Sequence, residues 1–422
     1  MIVPAQPPAV IARAHAARDR MPSSPIQHIV FIIQENRSFD DLFQGYPGAN
    51  TVSSGLDHKG KVVPLQPVPL EAPYDILHDM TRFLLAYDGG KMDGFNREPA
   101  GDHHKSKFPQ YGYVPGAETT PYFQLANQYV LNDDTFTSQL DGSFTAHQYL
   151  IAAQANDSVG FPSGGVWGCP TGIVTTLLPN HTIGPPQSAC FGTLYPSSYP
   201  TLASELDAAG LTWRYYAPAP GTSGGLWSAY QAIDYIFNGP DWATNVISPQ
   251  TQILTDPANG TLANVTWVVP DAADSDHAGT KSNTGPQWVA SVVNAIGQSQ
   301  FWDSTAIFVV WDDWGGWFDH VPPPQLDNDG LGIRVPLLCI SPYAKTNYVS
   351  HVQLETASLL RFAEDTFGLA QMAAADTRAT DAGSDCLNYS MKRRPFVRLR
   401  TKLAPSTFLH RRPSFAPPDD DG

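Results

Sequence analysis

The stretch IQHIVFIIQENRSFD, residues 26–40, decides how this chain folds. Residues 26–33 form a short apolar run rich in β-branched side chains, without alternation. That is the pattern of a strand buried on both faces. The run stops abruptly at Gln34-Glu35-Asn36-Arg37. Two later runs repeat the pattern: VTWVV (265–269) breaks at Pro270-Asp271, and TAIFVV (305–310) ends in Trp311-Asp312-Asp313. LTWRYY (211–216) and VPLLCI (335–340) read as further strands. Helical spacing of apolar residues occupies 120–130, 287–296 and 353–367, the last stopped by Gly368. A short helix over 201–209 has Thr201 as its N-cap and Gly210 as its stop signal. Strands alternating with helices predict an α/β fold, with a largely parallel central sheet flanked by helices.

The remaining segments do not fit that alternation. Residues 155–200 and 217–262 are rich in Gly, Pro, Ser and Asn and are expected to be irregular insertions that shape a cleft over the sheet edge. Residues 1–25 read as a tail, 26–381 as the main domain, and 382–422 as a basic, Pro-rich extension, poorly packed. That extension holds Lys392, Arg393, Arg394, Arg398, Arg400, Lys402, Arg411 and Arg412. It is read as a solvated run, or else as a contact with anionic lipid or the acidic body.

With 42% hydrophobic residues in 422, the chain can build a large core. Its formal net charge of -15 argues against non-specific nucleic-acid binding. It contains no run of about 18 apolar residues that would span a membrane, and its start lacks the apolar stretch of a signal peptide. None of the four cysteines forms a CxxC pair. Cys169 and Cys190 flank a Gly/Pro-rich loop and could bridge, whereas Cys339 lies in an apolar run and is expected to be a buried free thiol.

Chemistry is concentrated at the strand ends. In open α/β sheets ligands sit beyond the carboxyl ends of the strands. Glu35-Asn36, the Asp271–His277 segment and Asp312-Asp313 are all placed there. Converging carboxylates repel one another unless a cation lies between them, and oxygen ligands suit a hard divalent ion. The competing explanation is that each is a turn or cap residue. His277 and His320 follow two of these ends closely, and His78 lies in ILHDM. For a nucleophile, the stretch NDDTFTSQLDGSFTAHQYL (132–150) offers Thr135, Thr137, Ser138, Ser143 and Thr145, and the residues alone do not choose among them. The chain has no GxSxG elbow, HExxH, P-loop or GxGxxG.

The motifs ENRSFD (35–40), GGKMDGF (89–95), VVWDDWGGWFDHVPPP (309–324), GIRVPLLCISPYAK (332–345) and LETASLLRFAEDTFGL (354–369) resemble, in order, those of the bacterial phospholipase C / acid phosphatase family of phosphoesterases. The resemblance spans about residues 26–381 and implies an alkaline phosphatase-like α/β fold. It further implies a metal held by Glu35, Asn36, Asp312 and Asp313, with Ser143 as ligand and nucleophile and Thr145 as the reserve. His78 and His277 match histidines of the phosphate pocket, and His320 matches the histidine of the FDH signature. The implied reaction is hydrolysis of a phosphoric ester through a phosphoserine. His277 or His78 would act as proton donor, and His320 would steady a phosphoryl oxygen. An oxygen-rich set favours Ca, Mg or Mn over Zn. The substrate is a small phosphate ester or a phospholipid headgroup, and Trp227, Trp314 and Trp317 are candidates to face a choline. An extracytoplasmic location follows from the same resemblance. Departures include Trp314 in place of the family's usual histidine, and the loss of Pro-Asn-Arg after Ser143. They give weight to one alternative, a non-catalytic binding protein on the same scaffold; a second, a sulfatase or phosphonate hydrolase, would ordinarily show a C/S-x-P-x-R segment, and none surrounds Ser143.

Overall fold

The structure is a computed structural model that describes residues 24–163, 166–194 and 196–416. Most of the N-terminal tail and the last six residues lie outside that description. Eight strands make the central sheet: β1 (His28–Gln34), β2 (Val130–Asn132), β3 (Trp213–Tyr216), β4 (Val246–Ile247), β5 (Val265–Val268), β6 (Thr305–Trp311), β7 (Leu337–Ile340) and β8 (Tyr348–Ser350). Their order across the sheet is β4-β3-β5-β1-β6-β7-β2-β8. Every pairing is parallel except the two made by β7. The expected mixed α/β architecture is therefore present, with 335–340 as the one reversed strand.

The strand interiors explain the order. β1 and β6 are apolar along almost their whole length and buried on both faces, so they occupy the centre. Their register runs from His28 opposite Thr305 to Gln34 opposite Trp311. It continues past the strand ends, where Asp312 N donates to Gln34 O at 3.0 Å and Arg37 N donates to Asp313 O at 3.0 Å. Parallel pairing in this register sets Glu35-Asn36 beside Asp312-Asp313. On the other flank of β1, Glu35 N donates to Ser275 O at 2.8 Å, which ties in the loop after β5.

Several expectations need correction. Residues 155–200 are not irregular throughout. Ser158–Ser163, Ile173–Leu178 and Thr182–Ser188 pair as an antiparallel three-stranded sheet, with the Cys169–Cys190 disulfide in the same region. Val174 packs into the main core, and Val159 and Leu177 into a second apolar cluster, so too few residues are buried for a long apolar run to show. Cys339 is not a free thiol, because it is bridged to Cys386. The chain returns to the sheet after its last long helix, and Lys345 N donates to Cys386 O at 2.9 Å. The described part of the C-terminal extension is mostly exposed, but it is anchored to the body at a few points. Leu399 and Phe408 are buried, and Phe408 meets Trp288 edge-to-face at 5.5 Å. Arg394 donates to Gln128 O and Ala344 O. Arg393 pairs with Asp303 at 2.7 Å and Arg411 with Asp274 at 2.6 Å. For Arg393 and Arg411 the acidic body itself is the partner.

Candidate active site

One helix completes the cleft. α1 (Ser143–Ala152) is buried along its whole length, which explains why it carries no amphipathic stripe. Its far end is anchored by Trp267 Nε1 donating to Leu150 O at 3.0 Å and by Gln148 Nε2 donating to Ala229 O at 3.1 Å. Its first turn therefore points at the ends of β1 and β6. A helix N-terminus carries unsatisfied N–H groups and partial positive charge, so it suits an anion.

Ser143 is the first residue of that helix. Its Oγ lies 3.2 Å from Asn36 Oδ1 and 3.3 Å from Asp313 Oδ2, within donating reach of both. Asn36 N donates to Asp312 Oδ1 at 3.0 Å. Asn36 takes a left-handed φ of 54°, which asparagine tolerates better than most residues. Gly315 lies against it at φ +60°, and a Cβ there would sit 2.3 Å from Asn36 O. Its N–H donates to Asp313 Oδ1 at 2.8 Å. A Gly315→Ala substitution should therefore push Asn36 and Asp313 apart and destabilise the chain by about 1–3 kcal/mol. Thermal melts and turnover rates of the variant check this, and an unchanged melting temperature with full activity would refute it.

The histidines divide among three settings. His78 Nδ1 faces Ile76 O at 2.6 Å, which leaves Nε2 to accept from Asn36 Nδ2 at 3.0 Å. The same Nε2 is 3.7 Å from Asp313 Oδ2. His277 sits on the other side of His78, ring centroids 6.4 Å apart, stacked on Trp227 at 5.8 Å. Its Nε2 is 4.0 Å from Asp75 Oδ2. His320 lies in a neighbouring cluster instead: its Nδ1 is 2.6 Å from Asp40 Oδ2 and its Nε2 is 3.1 Å from Asn50 Oδ1. Burial pushes its pKa down, but the Asp40 and Asp319 carboxylates outweigh this and the net shift is upward.

That neighbouring cluster is organised by Arg334, which is fully buried. Arg334 donates to both oxygens of Asp319 at 3.1 Å, reaches Asp40 at 3.5 Å and stacks over Phe39 at 4.5 Å. It also donates to Asp133 O and Asn50 O, so it joins three separate segments. Breaking a buried network by removing one partner is costly. We expect Arg334→Met to lose about 3–5 kcal/mol of stability, measured by denaturant unfolding. A loss below about 1 kcal/mol would contradict the role assigned to it.

Other anticipated residues lie elsewhere. Thr145 Oγ1 is engaged with Asp141 Oδ2 at 2.9 Å. Asp271 accepts from Asp274 N, an ordinary cap, and both face Arg411. Trp314 packs on Phe95 and Trp317 lies under Arg37, both buried. Of the three tryptophans considered for a choline, Trp227 is the one beside a site histidine.

One residue was missed by sequence reading. His147 Nε2 is 2.9 Å from Glu35 Oε1 and 3.7 Å from Asp312 Oδ2. The signal was the i,i+4 spacing from Ser143, which places both side chains on one helical face. Burial lowers the His147 pKa to about 4, partly opposed by Asp312. Burial, with Glu35 adding to it, raises the Asp312 pKa to about 7. Asp313 is raised well above the usual carboxylate range, by burial first and Asp312 second. Asp312 Oδ2 is buried and accepts no hydrogen bond. Like charges crowded in this way, with an acceptor left unsatisfied, fit a bound divalent cation.

The model of the Phosphoesterase family matches residues 26–370. The chain belongs to the Phosphoesterase family. The chain is similar to a non-hemolytic phospholipase C of Pseudomonas aeruginosa, 26% identical over 82% of this chain and 54% of that protein. It is also similar to phospholipase C A of Mycobacterium tuberculosis, 24% identical over 82% of this chain and 73% of that one. The chain thus spans about half the length of the Pseudomonas relative. Among solved structures it is similar to a protein in the alkaline phosphatase superfamily from Vibrio parahaemolyticus. That match has 8% identity and a TM-score of 0.42, over 85% of this chain and 71% of that one.

Proposed function

We propose that this Phosphoesterase family member hydrolyses phosphoric esters, with Ser143 as nucleophile and a phosphoserine as intermediate. The observation that carries the reading is the Ser143 hydroxyl between Asn36 and Asp313, at the N-terminus of a buried helix. Glu35, Asn36, Asp312, Asp313 and Ser143 would hold a divalent cation. When bound, it supplies the positive charge that acidifies the serine hydroxyl and screens the phosphoryl oxygens. The first N–H groups of α1 would offer the substrate phosphate further stabilisation. Ser143 Oγ attacks phosphorus in line, the P–O bond to the alcohol breaks, and the alcohol leaves with a proton. His277 donates that proton, because His78 Nε2 accepts from Asn36. Water then attacks the phosphoserine, releasing phosphate and regenerating the hydroxyl. His320 is better suited to positioning, through Asp40 and the Arg334 cluster, than to contact with the reacting atoms.

Two disulfides suit an oxidising compartment, so we place the protein outside the cytoplasm. Among the described residues no helix is long and apolar enough to cross a membrane. The activity test is a side-by-side comparison of nitrophenyl phosphate, bis-nitrophenyl phosphate and nitrophenyl phosphorylcholine. Turnover of at least one, abolished by chelator, supports the reading. No turnover of any, by protein shown to carry metal, overturns it. A preference for the phosphorylcholine ester that Trp227→Leu removes would assign the substrate class.

A further inference from the structure

We infer that His147 is a direct ligand of the cation, which places one nitrogen among the oxygens and moves the site's preference from calcium toward manganese, zinc or a similar transition metal. The inference rests on the metal-dependent reading above and refines it.

The argument begins with the helix. Ser143 and His147 are separated by one turn of α1 and project from the same face. Ser143 meets Asn36 and Asp313, while His147 meets Glu35 and Asp312, so each of the two faces the end of both β1 and β6. The ligand atoms of Glu35, His147 and Asp312 all lie within 4.8 Å of one another, and all three residues are buried. Ligands bound at about 2.1 Å with angles of about 90–110° stand about 3.0–3.4 Å apart. The observed separations of 2.9 and 3.7 Å bracket that range.

A simple hydrogen bond from His147 to Glu35 is the competing account, and it leaves Asp312 unexplained. At 3.7 Å, Asp312 Oδ2 is beyond hydrogen-bond reach of the imidazole, and its other neighbour in the cluster is the Glu35 carboxylate, which cannot donate to it while both are charged. A cation shared by the three groups satisfies both carboxylates. Imidazole nitrogen suits manganese, zinc and iron, whereas calcium takes oxygen ligands. The oxygen-only set expected from sequence, which favoured Ca, Mg or Mn over Zn, omitted this nitrogen.

The test uses the full chain loaded with Mn(II) alone and examined by pulsed electron paramagnetic resonance. Wild type should show the coupling of a directly bound imidazole nitrogen. That coupling should vanish in His147→Gln and persist in His78→Gln and His277→Gln. A wild-type spectrum without nitrogen coupling overturns the inference, as does coupling that survives in His147→Gln. In both cases bound manganese leaves the metal-dependent reading standing. Failure of wild type to take up manganese defeats both. Should His147→Gln not fold, the other two variants decide, because loss of coupling in either reassigns the ligand. Calorimetric competition gives a second readout. Wild type should prefer Mn(II) to Ca(II) by about 100-fold, and His147→Gln by about 10-fold or less.

Discussion

Ser143→Ala should lower kcat on the best phosphoric ester by about 10⁴-fold or more, while the fold stays as it is and the metal, with one ligand removed, is held more weakly. Removing a covalent nucleophile leaves only the catalysis provided by binding and electrostatics, and losses of this size are the rule. The cost corresponds to about 5 kcal/mol of transition-state stabilisation. Stability should change little, because Ser143 Oγ bonds only to groups that the cation would also engage. Thr145→Ala provides the contrast. It removes a hydrogen bond to Asp141, worth about 1 kcal/mol, and should leave kcat within about 10-fold of wild type. If the two variants exchange phenotypes, the nucleophile is misassigned.

Stripping the cation should abolish turnover and soften the fold. Glu35, Asp312 and Asp313 are buried together, and without a cation the pKa values of Asp312 and Asp313 are pushed up. Asp312 titrates at about 7 rather than its ordinary 3.8, because burial and the neighbouring Glu35 disfavour its charge. The sign of the stability effect follows. A carboxyl whose folded pKa is raised favours the metal-free fold fully below 3.8 and loses that contribution as pH rises through about 7. The stripped protein should therefore become less stable across that window. Metal uptake must expel the protons, so apparent metal affinity should climb with pH over the same range. Calorimetry in two buffers of different ionisation enthalpy measures the protons released. At a thousand-fold excess over Kd the cation should add about 4 kcal/mol of stability. Full activity after exhaustive chelation, or metal binding without proton release near pH 6, would contradict the account.

The parts of this site that lie on strands were legible because a buried strand announces itself. The apolar runs ending at Gln34 and at Trp311 carried both the sheet and the acidic pairs beyond it. Only the register, Gln34 opposite Trp311, had to come from the structure. His147 was not legible in the same way. It sits in a helix buried on every side, where apolar and polar residues mix without a stripe, so periodicity is silent. Asp271 and Asp276 show the limit of reading carboxylates by position. Asp271 caps a turn and faces Arg411. Asp276, five residues on, is buried against Tyr122, Gln34 and Trp311. The bridge from Cys339 to Cys386 joins residues 47 apart and depends on the chain returning to the sheet, which no local pattern reports.

The proposed chemistry places a phosphoryl group transiently on one oxygen of one helix. Acid quenching of the full-length protein during turnover of nitrophenyl phosphate, followed by peptide mass spectrometry, locates that group. The account predicts phosphate on Ser143, absent from chelated protein. Phosphate on Thr145 or on a histidine, or none on any residue under conditions where alcohol release shows a burst, would contradict it.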